Sequence, residues 1–356
     1  MHKLKKSETA IVFFALLATA ISFGLTRIPV SPIALFFASG IALTLLAALV
    51  GEALEQVSAR LGPGPTGVLQ SALGNLPELF IGIFSLRAGL ISVVQAAIVG
   101  SILVNSLLVL GLAFFVGGIK NGTLKFSREQ PRMIATLMML SVSALIIPSL
   151  AKGLHAPVAK HLNGLSFACS LLLLIIFFAS IPFFIKNPAG DPFKDDVEEP
   201  AHVWPTWLAV SLLAVGAIGA AFVSDWFVEA LTPATHLLHI SPAFAGLVVV
   251  ALAGNAVENI VGVRLAYQNK MDLAVGAILN SSLQVALALG PALVLLSFWI
   301  CPHTPLTLVI PPLLVAALAV TALITNMICY DGEANWLEGL ALIGVYGIFA
   351  AAFWWG

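Results

Sequence analysis

The sequence predicts an all-α integral membrane protein of eleven transmembrane helices, one N-terminal helix followed by two inverted five-helix repeats. Three observations predict it. The 356-residue chain is 60% hydrophobic and only 9% charged, whereas a soluble domain carries about 25% charged residues. So few polar groups could not cover a surface facing water, and the solvent must be largely lipid. The apolar residues fall in runs long enough to cross a bilayer, and one polar motif occurs twice, at an offset of 254 − 74 = 180 residues.

A span takes about 20 mostly apolar residues. The runs at 10–28, 32–51, 66–86, 92–116, 131–150, 165–185, 205–224, 243–263, 272–300, 306–328 and 336–355 meet this requirement. Pro, Gly and charge punctuate them, as at Gly62-Pro63-Gly64-Pro65 and Asp331-Gly332-Glu333. The basic start, Lys3, Lys5 and Lys6, precedes an apolar run without a small-residue cleavage site, so it reads as a retained first span. With the N-terminus in the cytoplasm, twelve Lys and Arg fall on the cytoplasmic side. Only Arg27, Arg87, Lys152 and Lys160 fall on the other. That bias fixes the expected orientation and supports the span count. The expected organisation is a first helix at 1–30, a five-helix repeat at 31–186, an acidic cytoplasmic linker at 187–203 and a second repeat at 204–356. A short N-terminal segment suggests a prokaryotic plasma membrane.

Composition also narrows function. A net charge of −1 offers nothing to nucleic acid. Cys169, Cys301 and Cys329 are far apart and show neither CxxC spacing nor a disulfide framework, so they read as packing residues. No nucleotide-binding loop, HExxH motif or intramembrane GxGD-type aspartate is present, and Asp331 lies in a loop. A transporter driven by a gradient, with no enzymatic step and no cofactor, is expected. The lipid bilayer is the one partner the composition requires; a homo-oligomer is compatible with it.

The repeated motif is Gly74-Asn75-Leu76-Pro77-Glu78 and Gly254-Asn255-Ala256-Val257-Glu258. At the same offset, without a gap, Gly82 matches Gly262, Ala97 matches Ala277, Ser101 matches Ser281 and Leu107 matches Leu287. The copies fall in the third and eighth expected spans and so cross in opposite directions, which is a signature of secondary transporters.

Glu78 and Glu258 lie within apolar spans. A carboxylate at the bilayer centre costs roughly 2.5–3.5 kcal/mol on insertion scales, so such a residue faces the protein interior and usually has a function. One buried Glu could be a neutral hydrogen-bonded core group; two at matched places argue against that. Gly74, Pro77 and Gly254 break their helices and free backbone carbonyls beside the acids. Ser101 and Asn105 are four residues apart, Ser281 and Gln284 three, and Asn280 and Gln284 four, so each pair shares a helix face. Any one of these could simply bridge helices. As a set they supply neutral oxygens, and Ca²⁺ takes six to eight oxygen ligands in irregular geometry. The histidines lie in loops or at span ends, so no His/Cys cluster offers a site for Zn²⁺ or Cu⁺. Two ionised carboxylates without a cation repel each other and lack solvation, so the emptied site favours protons. One Ca²⁺ or two protons balance the pair, and this competition is the physical basis of antiport.

The segments Gly74 to Gly118 and Gly254 to Leu296 resemble the cation/proton exchanger (Ca²⁺/H⁺ antiporter) family of the Ca²⁺/cation antiporter superfamily. The resemblance implies Ca²⁺-binding acids at Glu78 and Glu258 and supporting roles for Asn75, Asn255, Ser101, Asn105, Ser281 and Gln284. It also implies Ca²⁺ export driven by inward proton flow. It permits an ion-access role for Glu52, Glu55, Asp225 and Glu229, which otherwise read as interfacial charges. Three positions depart from the family pattern. Leu76-Pro77 replaces a usual Ala-Thr, Asn259 stands where a His is frequent, and Asn280 replaces a Gly and adds a candidate ligand. A Na⁺/Ca²⁺ exchanger, an antiporter of Mn²⁺ or another divalent cation, and a cation channel are the competing readings.

Overall fold

Backbone in lipid must satisfy its hydrogen bonds internally, so apolar runs of this length form helices. The computed structural model describes residues 6–58, 60, 73–186 and 204–355. The helices are α1 (Lys6–Leu25), α2 (Pro32–Ser58) and α3 (Leu76–Arg87). Next, α4 (Ile91–Leu103) continues through a π turn, Val104–Val109, into α5 (Leu110–Asn121). α6 (Glu129–Gly153), a 3₁₀ turn at Pro157–His161, α7 (Leu162–Lys186) and α8 (Thr206–Leu238) follow. α9 (Pro242–Phe244), a π turn at Ala245–Val250 and α10 (Ala251–Gly254) lead to α11 (Ala256–Tyr267). α12 (Met271–Gln284) passes through a π turn, Val285–Leu289, into α13 (Gly290–Ile300); α14 (Pro312–Asp331) and α15 (Trp336–Trp354) complete the chain.

Local chemistry sets several ends. Pro77, Pro242 and Pro312 stand in first turns, where the missing N–H costs nothing. Asn335 and Glu338 form a reciprocal capping box at the start of α15. Gly332 ends α14 at φ +68°, a left-handed turn packed against Arg128, where a Cβ would be strained as well as crowded.

Among the described residues, nine helical stretches are long and apolar enough to cross a membrane, and a tenth span, Pro242 to Tyr267, is bent by 63° at its break. The expected third span, 66–86, begins in residues outside the described ones and is seen as α3 only. The expected linker, 187–203, also lies outside them. Large apolar side chains face outward along the helices, including Phe178, Phe222 and Ile348. Trp207, Trp299, Trp336 and Trp355 stand exposed at helix ends, as in an aromatic belt at a bilayer interface.

The two ends of the bundle are built differently. At one, β1 (Leu124–Lys125) pairs antiparallel with β2 (Glu333–Ala334), and Lys125 Nζ lies 3.4 Å from Glu333 Oε1. Close by, Ser127 donates its N–H to the Asp272 carboxylate, and Lys120 stacks 3.5 Å above the Tyr267 ring. At the opposite end the connection between α13 and α14 is extended and buries Leu306, Leu308 and Ile310. It has no strand partner among the described residues. Instead Gln95 donates to Thr307 O and Val309 O, while Ser297, Ser166 and Ser149 accept from Leu306, Leu308 and Ile310 N–H. Side chains thus replace a sheet ladder.

Apolar packing divides into two main clusters. α1, α2 and α8 share one, with Phe36 stacked on Phe227 at 4.9 Å. α4 to α7 and α11 to α15 contribute to the other. α3 lies between them: Ile81 belongs to the first cluster and Leu86 to the second.

Candidate functional site

α3 begins at Asn75, whose backbone (φ −95°, ψ 21°) is not helical, and Glu78 falls in its first turn. α11 begins at Asn255 with nearly the same backbone (φ −95°, ψ 17°). A helix N-terminus carries unsatisfied N–H groups and a partial positive charge that favours a carboxylate. Glu258 occupies the place in α11 that Glu78 occupies in α3; its side chain lies outside the described residues.

The Glu78 side chain is buried. Ser101 Oγ donates to Glu78 Oε1 at 2.7 Å, and Asn255 Nδ2 donates to the same oxygen. Asn255 also donates to Ser101 Oγ at 3.1 Å and to Ala251 O at 3.0 Å. Asn105 Nδ2 donates to Asn255 Oδ1 at 3.1 Å and to Ser281 Oγ at 2.9 Å. Ser281 Oγ is 3.4 Å from Asn255 Oδ1. Asn75 Nδ2 donates to Gln284 Oε1 at 3.2 Å. The cap of α11 therefore lies on the first acid and on α4, and the cap of α3 lies on α12.

Two helix devices allow this convergence. Glycines permit close crossing: a Cβ on Gly246 would sit 2.9 Å from Ala96 Cβ, and one on Gly254 would sit 2.9 Å from Glu78 Oε1. The π turns at Val104–Val109 and Val285–Leu289 fall at places the 180-residue offset equates to within one residue. The first carries Asn105 itself; the second follows Gln284 directly. A π turn adds a residue to the helical ladder and re-aims side chains, and such turns concentrate at functional sites.

Asn105 Oδ1 is buried and makes no hydrogen bond with a described residue. A buried amide oxygen left open is costly unless a ligand or water completes it. Between Glu78, Ser85, Ser101 and the apolar faces of α4 and α13 lies a cavity of about 20 Å³, room for about one water. Among the residues singled out from sequence, Asn280 stands half-buried outside the ring, without a hydrogen bond to a described residue. Ser106 and Ser282 were not singled out, yet their hydroxyls meet at 2.9 Å, both fully buried, one residue beyond Asn105 and Ser281. The doublets Asn105-Ser106 and Ser281-Ser282 were the available signal.

What the arrangement offers is a buried acid with amide and hydroxyl oxygens drawn from both halves of the sequence, suited to a hard cation. The sodium/calcium exchanger protein family model matches residues 31–186 and 208–355. The chain belongs to that family. It is 34% identical over 340 residues to the Ca²⁺/H⁺ antiporter of Aphanothece halophytica, covering 90% of each chain. It is 33% identical over 316 residues to the Ca²⁺/H⁺ antiporter ChaA of Bacillus subtilis, covering 86% of this chain and 88% of that one. The structure of native YfkE superposes with a TM-score of 0.81 at 29% identity, covering 97% and 99% of the two chains. The H⁺/Ca²⁺ exchanger CAX shares the fold, with a TM-score of 0.72 at 15% identity over 97% and 92%. The family resemblance read from the two motifs is thereby borne out, and the chain is a multi-pass membrane transporter.

Proposed function

We propose that this protein exchanges Ca²⁺ for H⁺ across its membrane, with Ca²⁺ as cargo and Glu78 and Glu258 as the carboxylates that hold it. The observation that carries the reading is the convergence of Ser101, Asn105, Asn255 and Ser281 on the buried Glu78. The Ca²⁺/H⁺ antiporter names of these two relatives supply the ion pair.

In the described state the ring is closed by its own donors: the amide N–H groups of Asn255 and Asn105 point inward. A cation needs oxygens, and an amide presents either end. Ca²⁺ binding would turn these amides, breaking the bonds to Glu78 Oε1 and Asn255 Oδ1 and offering Oδ1 atoms together with the Ser101 and Ser281 hydroxyls and Gln284 Oε1. With the cation gone, two carboxylates in an apolar surround favour protons. Both cargoes need the same oxygens, so the chain carries one or the other per crossing, by alternating access between two inverted five-helix repeats. The excess of Lys and Arg on the face that carries β1 and β2 supports a cytoplasmic location for that face and for the N-terminus.

Vesicles reconstituted with the protein and given a pH gradient will take up radioactive Ca²⁺, and Glu78→Gln will reduce uptake to background while still inserting. Uptake that follows a Na⁺ gradient instead would make the protein a Na⁺/Ca²⁺ exchanger, as the family's description allows. Full uptake in the Gln variant would remove Glu78 from the site.

A further inference from the structure

On the lipid-facing side of the bundle, α3 and α8 leave a groove of about 310 Å³ between Phe80 and Phe84 on one wall and Ala217, Ala221, Phe222 and Asp225 on the other. That volume is within the range of small-molecule pockets, roughly 300–1,000 Å³. Asp225 is exposed at one end of the groove and makes neither an ion pair nor a hydrogen bond with a described residue. Glu229, one turn further along α8, is exposed too.

The depth of Asp225 follows from its neighbours. Trp226 packs on Phe23 at 5.7 Å, and the Arg27 guanidinium lies 4.9 Å from that same ring, just past the end of α1. On the other wall Arg87, in the last turn of α3, lies 5.8 Å from the Phe84 ring. Aromatic rings paired with arginines at helix ends mark the headgroup layer. The groove therefore runs inward from headgroup level to Ala217 and Phe80, as an acyl chain does. Asp225 lines one wall of the groove, and Arg87 lies beside Phe84, which lines the other. A carboxylate at headgroup depth, with no ion-pair partner among the described residues, can take its cation from a lipid headgroup.

We propose that this groove binds an aminophospholipid of the phosphatidylethanolamine type. Its primary ammonium pairs with Asp225 and Glu229, its phosphate with Arg87, and one acyl chain fills the groove between α3 and α8. Guanidinium suits phosphate, and an ammonium with N–H groups suits carboxylates. Phosphatidylglycerol would bring only neutral hydroxyls to Asp225, and phosphatidylcholine has no N–H to donate.

Native mass spectrometry of the purified protein with equal amounts of phosphatidylethanolamine, phosphatidylcholine and phosphatidylglycerol tests this. The ethanolamine lipid will be retained over the other two by about three- to fivefold, the worth of a partly exposed ion pair. Asp225→Asn with Glu229→Gln will abolish the preference. Ala221→Trp, which fills the groove and leaves the charges, will lower retention of the ethanolamine lipid. Equal retention of the three lipids, or variants that keep the wild-type preference, would show annular lipid only and overturn the assignment. Neither readout depends on ion exchange.

Discussion

Glu78 Oε1 takes hydrogen bonds from Ser101 and from Asn255, and Gly254 stands against the same side chain with no room for a Cβ. Gly254→Ala would push the carboxylate aside without changing any charge. Misplacing a binding group by about 1 Å can cost up to 10²-fold. Ca²⁺ affinity should fall by about tenfold or more, measured by isothermal titration, with the protein still folded; unchanged affinity would mean the carboxylate is free to move. The acid and its polar neighbours were legible in the sequence because polar groups within an apolar span are anomalous. The Ser106–Ser282 contact was not. Serine and threonine in a helix commonly bond their own turn, as Ser141 does to Leu137 O and Thr321 to Ala317 O, so a hydroxyl there gives no sign of reaching another helix. Ser282→Ala should leave Ser106 Oγ with its weak thioether contact to Met138 Sδ at 3.8 Å. A loss of about 1 kcal/mol is expected, read as a lower thermal midpoint.

At the scale of elements, nine of the eleven expected spans were readable from length and composition and are seen among the described residues, and the breaks before α3 and α11 were readable from their Gly-Asn pairs. The π turns were not. A helix apolar on nearly every side has no stripe whose drift would reveal an inserted residue. The extended segment between α13 and α14 was hidden for a different reason: of its side-chain partners, Ser297 is on the preceding helix, but Gln95, Ser149 and Ser166 come from three helices far away in sequence. Gln95 satisfies two carbonyls at once, so Gln95→Leu should cost about 1–3 kcal/mol for each carbonyl left buried and unbonded. The expected result is a clear fall in thermal midpoint, with Ca²⁺ affinity unchanged because the site is not touched. An unchanged midpoint would show that the segment is held by its leucines alone.

For the whole molecule, the segregation of Lys and Arg anticipated which loops share a face, and the structure gathers residues 120–128, 267–272 and 332–335 at one end, with 303–311 at the other. In a variant lacking native cysteines, His303→Cys should react with a membrane-impermeant maleimide on intact cells, and Lys125→Cys only after lysis. The reverse pattern would invert the proposed topology. The division of the bundle into two apolar clusters was beyond the sequence, since every span is apolar enough to belong to either. The central claim is that two cargoes compete for one set of oxygens. The most direct measurement is proton release when Ca²⁺ is added to the purified protein in a weakly buffered solution. Competition predicts about two protons released per Ca²⁺ bound at low pH, and none from a variant with both Glu78→Gln and Glu258→Gln. Ca²⁺ binding to the wild-type protein with no proton release at any pH would contradict it.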